Sequence, residues 1–183
     1  ITSGVIVMLL LLSSCGGKQK AMGEAITERD SLPVMTTLGV TTLISDSGVT
    51  RYRVNTEEWM MYDRKKPSYW AFEKGVYMEQ FDSIFNVEAS IKADTAYYYD
   101  KERLWKLIGN VDIQNRKGER FNTELLYWNE ATQKVYSDKF IRIQQPDRII
   151  TGHGFDSNQQ MTIYTIRNIE GIFYVYEEAS SGP

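Results

Sequence analysis

The sequence is poor in the residues that would make it reactive or cross-linked: of its 183 residues one is cysteine, one is histidine and four are proline. A single cysteine excludes a disulfide within the chain, so stability must come from packing. One histidine and one cysteine cannot assemble a zinc site of the His and Cys cluster type, and they remove most histidine-based acid–base chemistry. The charge is spread, with 21 Lys and Arg against 24 Asp and Glu for a net of -3. That leaves no basic footprint for nucleic acid. Long apolar runs are missing as well. The longest, Val5 to Leu12, falls far short of the ~20 residues that span a bilayer. What the chain does have is aromatic residues, with 12 Tyr, 7 Phe and 4 Trp. Together with scarce proline, that balance favours strands with half-buried faces.

The run Val5 to Leu12 leads into Leu12-Ser13-Ser14-Cys15, which matches the lipobox of a bacterial lipoprotein. Small residues just before a lone cysteine at the end of a short apolar segment are what the signal peptidase requires. Residues 1–14 are therefore expected to be a signal peptide and Cys15 to carry a diacylglycerol, although no Lys or Arg precedes the run. Residues 16–33 are polar, small and aperiodic, as a tether would be. The expected boundaries are a lipidated cysteine and tether over 15–33, one folded domain over 34–177 and a short tail over 178–183. A domain of that size buries roughly 70% of the surface its unfolded chain exposes.

From Val34 onward, short apolar alternations are interrupted every eight to twelve residues by turn signals, the rhythm of an all-β body. Val40–Ser45 and Val49–Val54 flank Asp46-Ser47-Gly48 and read as a hairpin. Asn55 and Glu58 are spaced as a capping box, which predicts one helical turn through Tyr62, with an extended Trp59-Met60-Met61-Tyr62 as the alternative. Asp63 to Pro67 is a charged turn. Strands are expected at 76–81, 85–92, 104–108, 111–115, 121–128, 134–136, 140–144, 148–151, 161–166 and 172–176. From Thr95, Ala96 and Tyr98 face one way and Tyr97 and Tyr99 the other. Asn115 to Gly118 and Asn129 to Thr132 are hairpin loops. No amphipathic helix of ordinary length follows Val34.

Candidate chemistry is sparse. Gly152-His153-Gly154-Phe155 lets a backbone turn or bulge tightly and return Phe155 to the core. His153 has no nucleophile or orienting acid beside it in sequence, and no helix follows to bind phosphate. Glu57-Glu58 and Glu177-Glu178 read as solvated faces. Ile172-Phe173-Tyr174-Val175-Tyr176 is an apolar terminal strand that either closes the domain's own sheet or presents an edge on which another strand can dock.

Taken in order, several segments resemble the LptC family: Ala93-Asp94-Thr95-Ala96-Tyr97, Leu107-Ile108-Gly109-Asn110-Val111, Phe121 to Tyr127, Tyr136-Ser137-Asp138, Ile150 to Phe155 and Gly171-Ile172-Phe173. The resemblance spans Val40 to Val175 and looks like the lipoprotein version of Bacteroidetes-type bacteria, a lipid at Cys15 standing in for the transmembrane helix of other members. It implies an open, twisted antiparallel β-jellyroll with an apolar groove for the acyl chains of lipopolysaccharide. It also implies a non-catalytic role without cofactors, in the periplasm at the inner membrane. The implied partners are lipopolysaccharide, the LptB, LptF and LptG transporter, an LptA-like bridge protein and the membrane through the anchor, with no nucleic acid. Groove-lining candidates are Ala96, Tyr98, Leu107, Val111, Ile113, Phe121, Ile141, Ile143, Phe155 and Ile163. The partner edge is expected at Ile172, Phe173, Tyr174, Val175 and Tyr176. A structural or surface β lipoprotein with a filled core is the competing reading. An envelope hydrolase, which would need a carboxylate constellation, stands third.

Overall fold

A computed structural model describes residues 31–174. The signal, Cys15 and residues 16–30 of the tether, together with Val175, Tyr176 and Glu177-Glu178, lie outside the described residues. Within them the chain forms one eleven-stranded sheet. In chain order the strands are β1 (Met35–Asp46), β2 (Val49–Tyr62), β3 (Tyr69–Phe72), β4 (Val76–Phe81), β5 (Val87–Ala93), β6 (Thr95–Tyr99), β7 (Leu104–Asn115), β8 (Arg120–Asn129), β9 (Lys134–Gln144), β10 (Arg148–Asn158) and β11 (Tyr164–Tyr174). All pairings are antiparallel. β3 and β4 share one row against β2, and β5 and β6 share the next against β7. β1 and β11 are the two lateral edges.

Every row bends at about mid-length, and the bends line up as a crease across the sheet. Along it lie Gly39, Gly75, Gly109, Asn110 and Gly154, all with positive φ. The register breaks there between Ile108 and Val111, Thr123 and Tyr127, and His153 and Phe155. Bending a ladder frees backbone groups, which must find other partners when buried. Polar side chains supply them. Thr56 Oγ1 donates to the Gly75 carbonyl at 2.8 Å, Thr123 Oγ1 to that of Phe140 at 2.7 Å, and Ser137 Oγ to that of Leu125 at 2.6 Å. Arg167 Nη2 reaches the Ser137 carbonyl at 2.7 Å, passing over Gly154, where a side chain would collide with the guanidinium.

Folding at the crease turns the sheet into two facing layers. Strands that are not sheet neighbours meet through the interior: Tyr52 of β2 packs on Trp128 of β8 at 5.2 Å, and Phe121 of β8 on Tyr164 of β11 at 5.2 Å between ring centroids. The core between the layers is apolar, from Val54 and Met78 through Leu107, Ile113 and Phe121 to Phe155. The architecture is the β-jellyroll.

Several expectations are corrected. The helical turn from Asn55 through Tyr62 does not form. β2 runs extended to Tyr62, because Met60, Met61 and Tyr62 pair with Ala71, Trp70 and Tyr69 on one side, and Met60 and Met61 with Thr36 and Met35 on the other. The short runs at 104–108 and 111–115 are one strand bent at Gly109-Asn110, and those at 134–136 and 140–144 are likewise one strand. Gly152-His153-Gly154 bulges inside β10 and does not end it, and Phe155 is fully buried. The expected strand from Phe85 begins at Val87, since Phe85 sits at φ 67 in a turn organised by the Asp82 carboxylate. The strand expected from Met161 starts at Tyr164.

The crease makes a stability prediction. A Cβ at position 109 would stand 2.9 Å from Asp94 Oδ2 at a residue with φ 77, and Asp94 already accepts from Asn110 Nδ2 at 2.7 Å. Gly109→Ala is expected to cost about 1–3 kcal/mol in denaturant unfolding, the scale of a strained left-handed residue. An unchanged midpoint would mean that the crease yields freely.

Candidate lipid groove and its mouth

The inner face is built by period-two alternation, which sends every second side chain between the layers. Ala96, Leu107, Val111, Ile113, Phe121, Ile141, Ile143 and Phe155 are all inward and at most 3% exposed. Tyr98 is inward and half-buried, with its hydroxyl on Glu130 Oε2 at 3.3 Å. Ile163 is the exception and is corrected: it is 76% exposed in the β10–β11 connection. Asn158 organises that connection by accepting from the Thr162 and Ile163 amides at 2.9 and 3.2 Å, which tucks Met161 inward instead. Met161 is 1% exposed.

Sequence reasoning missed an aromatic ladder. Trp70, Tyr98, Trp105 and Trp128 stand in register across β3, β6, β7 and β8 on the inner face. Their rings follow one another at 5.1, 4.7 and 6.2 Å. The signal was available, since Trp105 and Trp128 lie two residues from the inward Leu107 and Leu126. Glu130 anchors the ladder by accepting from Trp105 Nε1 at 2.9 Å, and Arg103 pairs with it at 3.6 Å.

Between the layers the free space is small. An apolar cavity of about 40 Å³ lies among Tyr52, Met78, Ile91, Ile113, Trp128 and Met161. That is about the room one water takes, so an acyl chain enters only if the layers part. Above the cavity, and sharing Tyr52, Gln80 and Gln159 with it, a polar cleft of about 540 Å³ opens between the strand ends of the two layers. Elsewhere the lips are tied. Buried Asn115 donates to the Met161 carbonyl at 2.8 Å, and buried Glu119 accepts from Asn115 Nδ2 at 2.7 Å and from Gln145 Nε2 at 2.6 Å. Gln145 also donates to the Tyr164 hydroxyl at 2.8 Å.

The lateral ends are less enclosed. Ile172, Phe173 and Tyr174 on β11 are 47%, 59% and 60% exposed, and the outer edge of β11 has no strand partner among the described residues. β1 is exposed along nearly its whole length, with Leu38 and Leu43 uncovered. His153 sits at the crease against Phe140 and near Glu170 Oε1 at 3.3 Å, on the surface. Glu58 is paired with Lys74 at 3.0 Å.

The described residues thus define a two-layered β-jellyroll with an apolar interior, a polar mouth and two unpaired lateral edges. The family model described as "Lipopolysaccharide-assembly, LptC-related" matches residues 5–170, and the chain belongs to the LptC family. Its role is therefore in lipopolysaccharide transport, and proteins of this family are periplasmic envelope components. A search of the curated proteins returned no match.

Electrostatics at the mouth generates a pH prediction. Burial, then the Glu130 carboxylate, pushes the Tyr98 phenol up to about 12; burial, then Glu119, does the same to Tyr164. Both are higher folded than the ordinary value near 10, so the folded state holds protons that the unfolded chain releases. Their contribution is complete below pH 10 and is lost as pH rises to about 12. The thermal midpoint should fall across that window, and the fall should be smaller in Tyr164→Phe. A midpoint flat from pH 10 to 12 would contradict the assignment.

Proposed function

We propose that this protein is a non-catalytic segment of the periplasmic bridge. It takes lipopolysaccharide from the inner-membrane transporter of LptB, LptF and LptG and passes it to an LptA-like protein through the space between its layers. The supporting observation is the continuous inward apolar surface from Val54 to Phe155, flanked by two largely exposed lateral strands, β1 and β11. Lipid tails leaving a membrane cost about 0.8 kcal/mol for each methylene left in water, so a carrier needs such a lining. Ala96, Tyr98, Leu107, Val111, Ile113, Phe121, Ile141, Ile143 and Phe155 are the lining residues in this reading.

β11 is the proposed docking edge for the next sheet, through Ile172 to Tyr174 and the Val175-Tyr176 that follow. Strand addition satisfies unpaired backbone groups and buries the exposed apolar side chains at once. Cys15 is proposed as the lipidated anchor at the inner membrane, with residues 16–33 as its tether and 34–177 as the folded body. The small size of the cavity favours one competing reading, a structural or surface lipoprotein with a filled core. Protease treatment of intact cells separates them, because a periplasmic bridge survives and a surface module is cut.

A photo-crosslinking residue at Phe121 or Ile143 is expected to capture lipopolysaccharide in cells. One at Lys134 is expected not to, and labelling from Lys134 alone would defeat the proposal. Ile172→Lys combined with Phe173→Lys should abolish co-purification with the LptA-like partner while leaving crosslinking at Phe121 intact. Undiminished co-purification would move the docking edge elsewhere.

A further inference from the structure

The cleft at the mouth is chemically unlike the interior beneath it. Its volume of about 540 Å³ is within the range of sites for small molecules, about 300–1,000 Å³. Four glutamines reach it, Gln80 from one lip and Gln133, Gln159 and Gln160 from the other. None of their side-chain amides makes a hydrogen bond within the described residues, although each offers both donors and an acceptor. Free planar amides around a cleft suit a ligand rich in hydroxyl groups.

Charge narrows the class. Three carboxylates, Asp46, Glu88 and Glu130, line the cleft with two guanidiniums, Arg51 and Arg103. Arg103 is engaged with Glu130, and Glu88 faces Arg116 at 3.7 Å. Arg51 alone has no ion pair and no hydrogen bond through its side chain among the described residues. Among the described residues the cleft therefore has one free cation and no positive excess, which can hold one phosphate and repels several.

A third observation lies at the junction with the interior. Trp128 lines the apolar cavity, and its indole N–H is buried with no acceptor. A buried donor left unmade costs about 1–3 kcal/mol. A carbonyl at the head of an acyl chain, arriving between cleft and cavity, would accept from it.

We propose that the mouth cleft binds the sugar headgroup of the transported lipid and selects headgroups with a single phosphate, held by Arg51, while Trp128 meets an acyl-linkage carbonyl below. This rests on the carrier reading above and adds to it a site and a specificity. The residues divide the ligand as the ligand's own chemistry does: hydroxyls to the glutamines, one anion to Arg51, carbonyl to Trp128, hydrocarbon to the cavity.

The test is competition binding with the whole folded protein, using monophosphoryl and bisphosphoryl lipid A of identical acylation, with a long-chain alcohol as a headgroup-free probe. The monophosphoryl form is expected to bind at least about fivefold more tightly, with the gap narrowing as salt screens the carboxylates. Arg51→Gln should weaken the monophosphoryl form about tenfold, the scale of one charged hydrogen bond, and leave the alcohol unchanged. Trp128→Phe should weaken both lipid A forms severalfold more than it weakens the alcohol, whose tail contacts the same cavity wall. Equal or tighter binding of the bisphosphoryl form, or no effect of Arg51→Gln, would overturn the headgroup site while alcohol binding upheld the carrier. If the wild-type protein bound none of the three probes, both readings would fall.

Discussion

The crease is the constraint from which the rest follows. A sheet of long strands left flat would expose one apolar face to water, and folding it once across all its rows buries that face against itself. Such a bend releases backbone donors and acceptors in every row at the same level. The chain meets the demand locally, with Thr56, Asp94, Thr123, Ser137 and Arg167 placed at the bend to satisfy what the ladders no longer reach. Positive-φ residues at Gly75, Gly109, Asn110 and Gly154 supply the turning geometry.

Hydrophobic closure and function pull in opposite directions here. Each inward residue, such as Leu107, Phe121 or Ile143, gains by contact with the facing layer, and the result is an interior nearly without free space. A lipid tail offers those same side chains an equivalent apolar neighbour, so exchange of one contact for the other is close to neutral in hydrophobic terms. In the proposed carrier, what would then decide between shut and loaded states is the polar part: the ties among Asn115, Glu119, Gln145 and Tyr164, and the unsatisfied indole of Trp128.

Much of this could be read from residue order. Alternation along 121–128 and 140–144 places Phe121, Ile141 and Ile143 on the inner face, and the Asp46-Ser47-Gly48 hairpin forms with Ser47 and Gly48 both at positive φ. What the order hides is long-range. Whether 104–108 and 111–115 are two strands or one bent strand depends on partners in β8, β5 and β6, which no local window contains. The capping-box pattern at Asn55 and Glu58 lost to pairing of Met60 to Tyr62 with β3, a tertiary override of a local signal. Ile163 misled because a regular alternation was carried through a loop that Asn158 organises. The mouth was invisible for the same reason: Gln80, Arg51, Arg103 and Gln133 come from four separate strand ends.

The cross-ties join the β7–β8 and β9–β10 turns to the β10–β11 connection and the start of β11, and the open cleft lies between the ends of β1, β2, β4 and β5 on one lip and the β6–β7, β8–β9 and β10–β11 connections on the other. The mouth is thus uneven, stitched where Asn115 meets Met161 and slack beside Gln159 and Gln160 in the same connection. In the proposed carrier, cargo would have fewer bonds to undo along the slack stretch than along the stitched one. Under that proposal a mouth so constructed would part first along one stretch, whatever drives the flow.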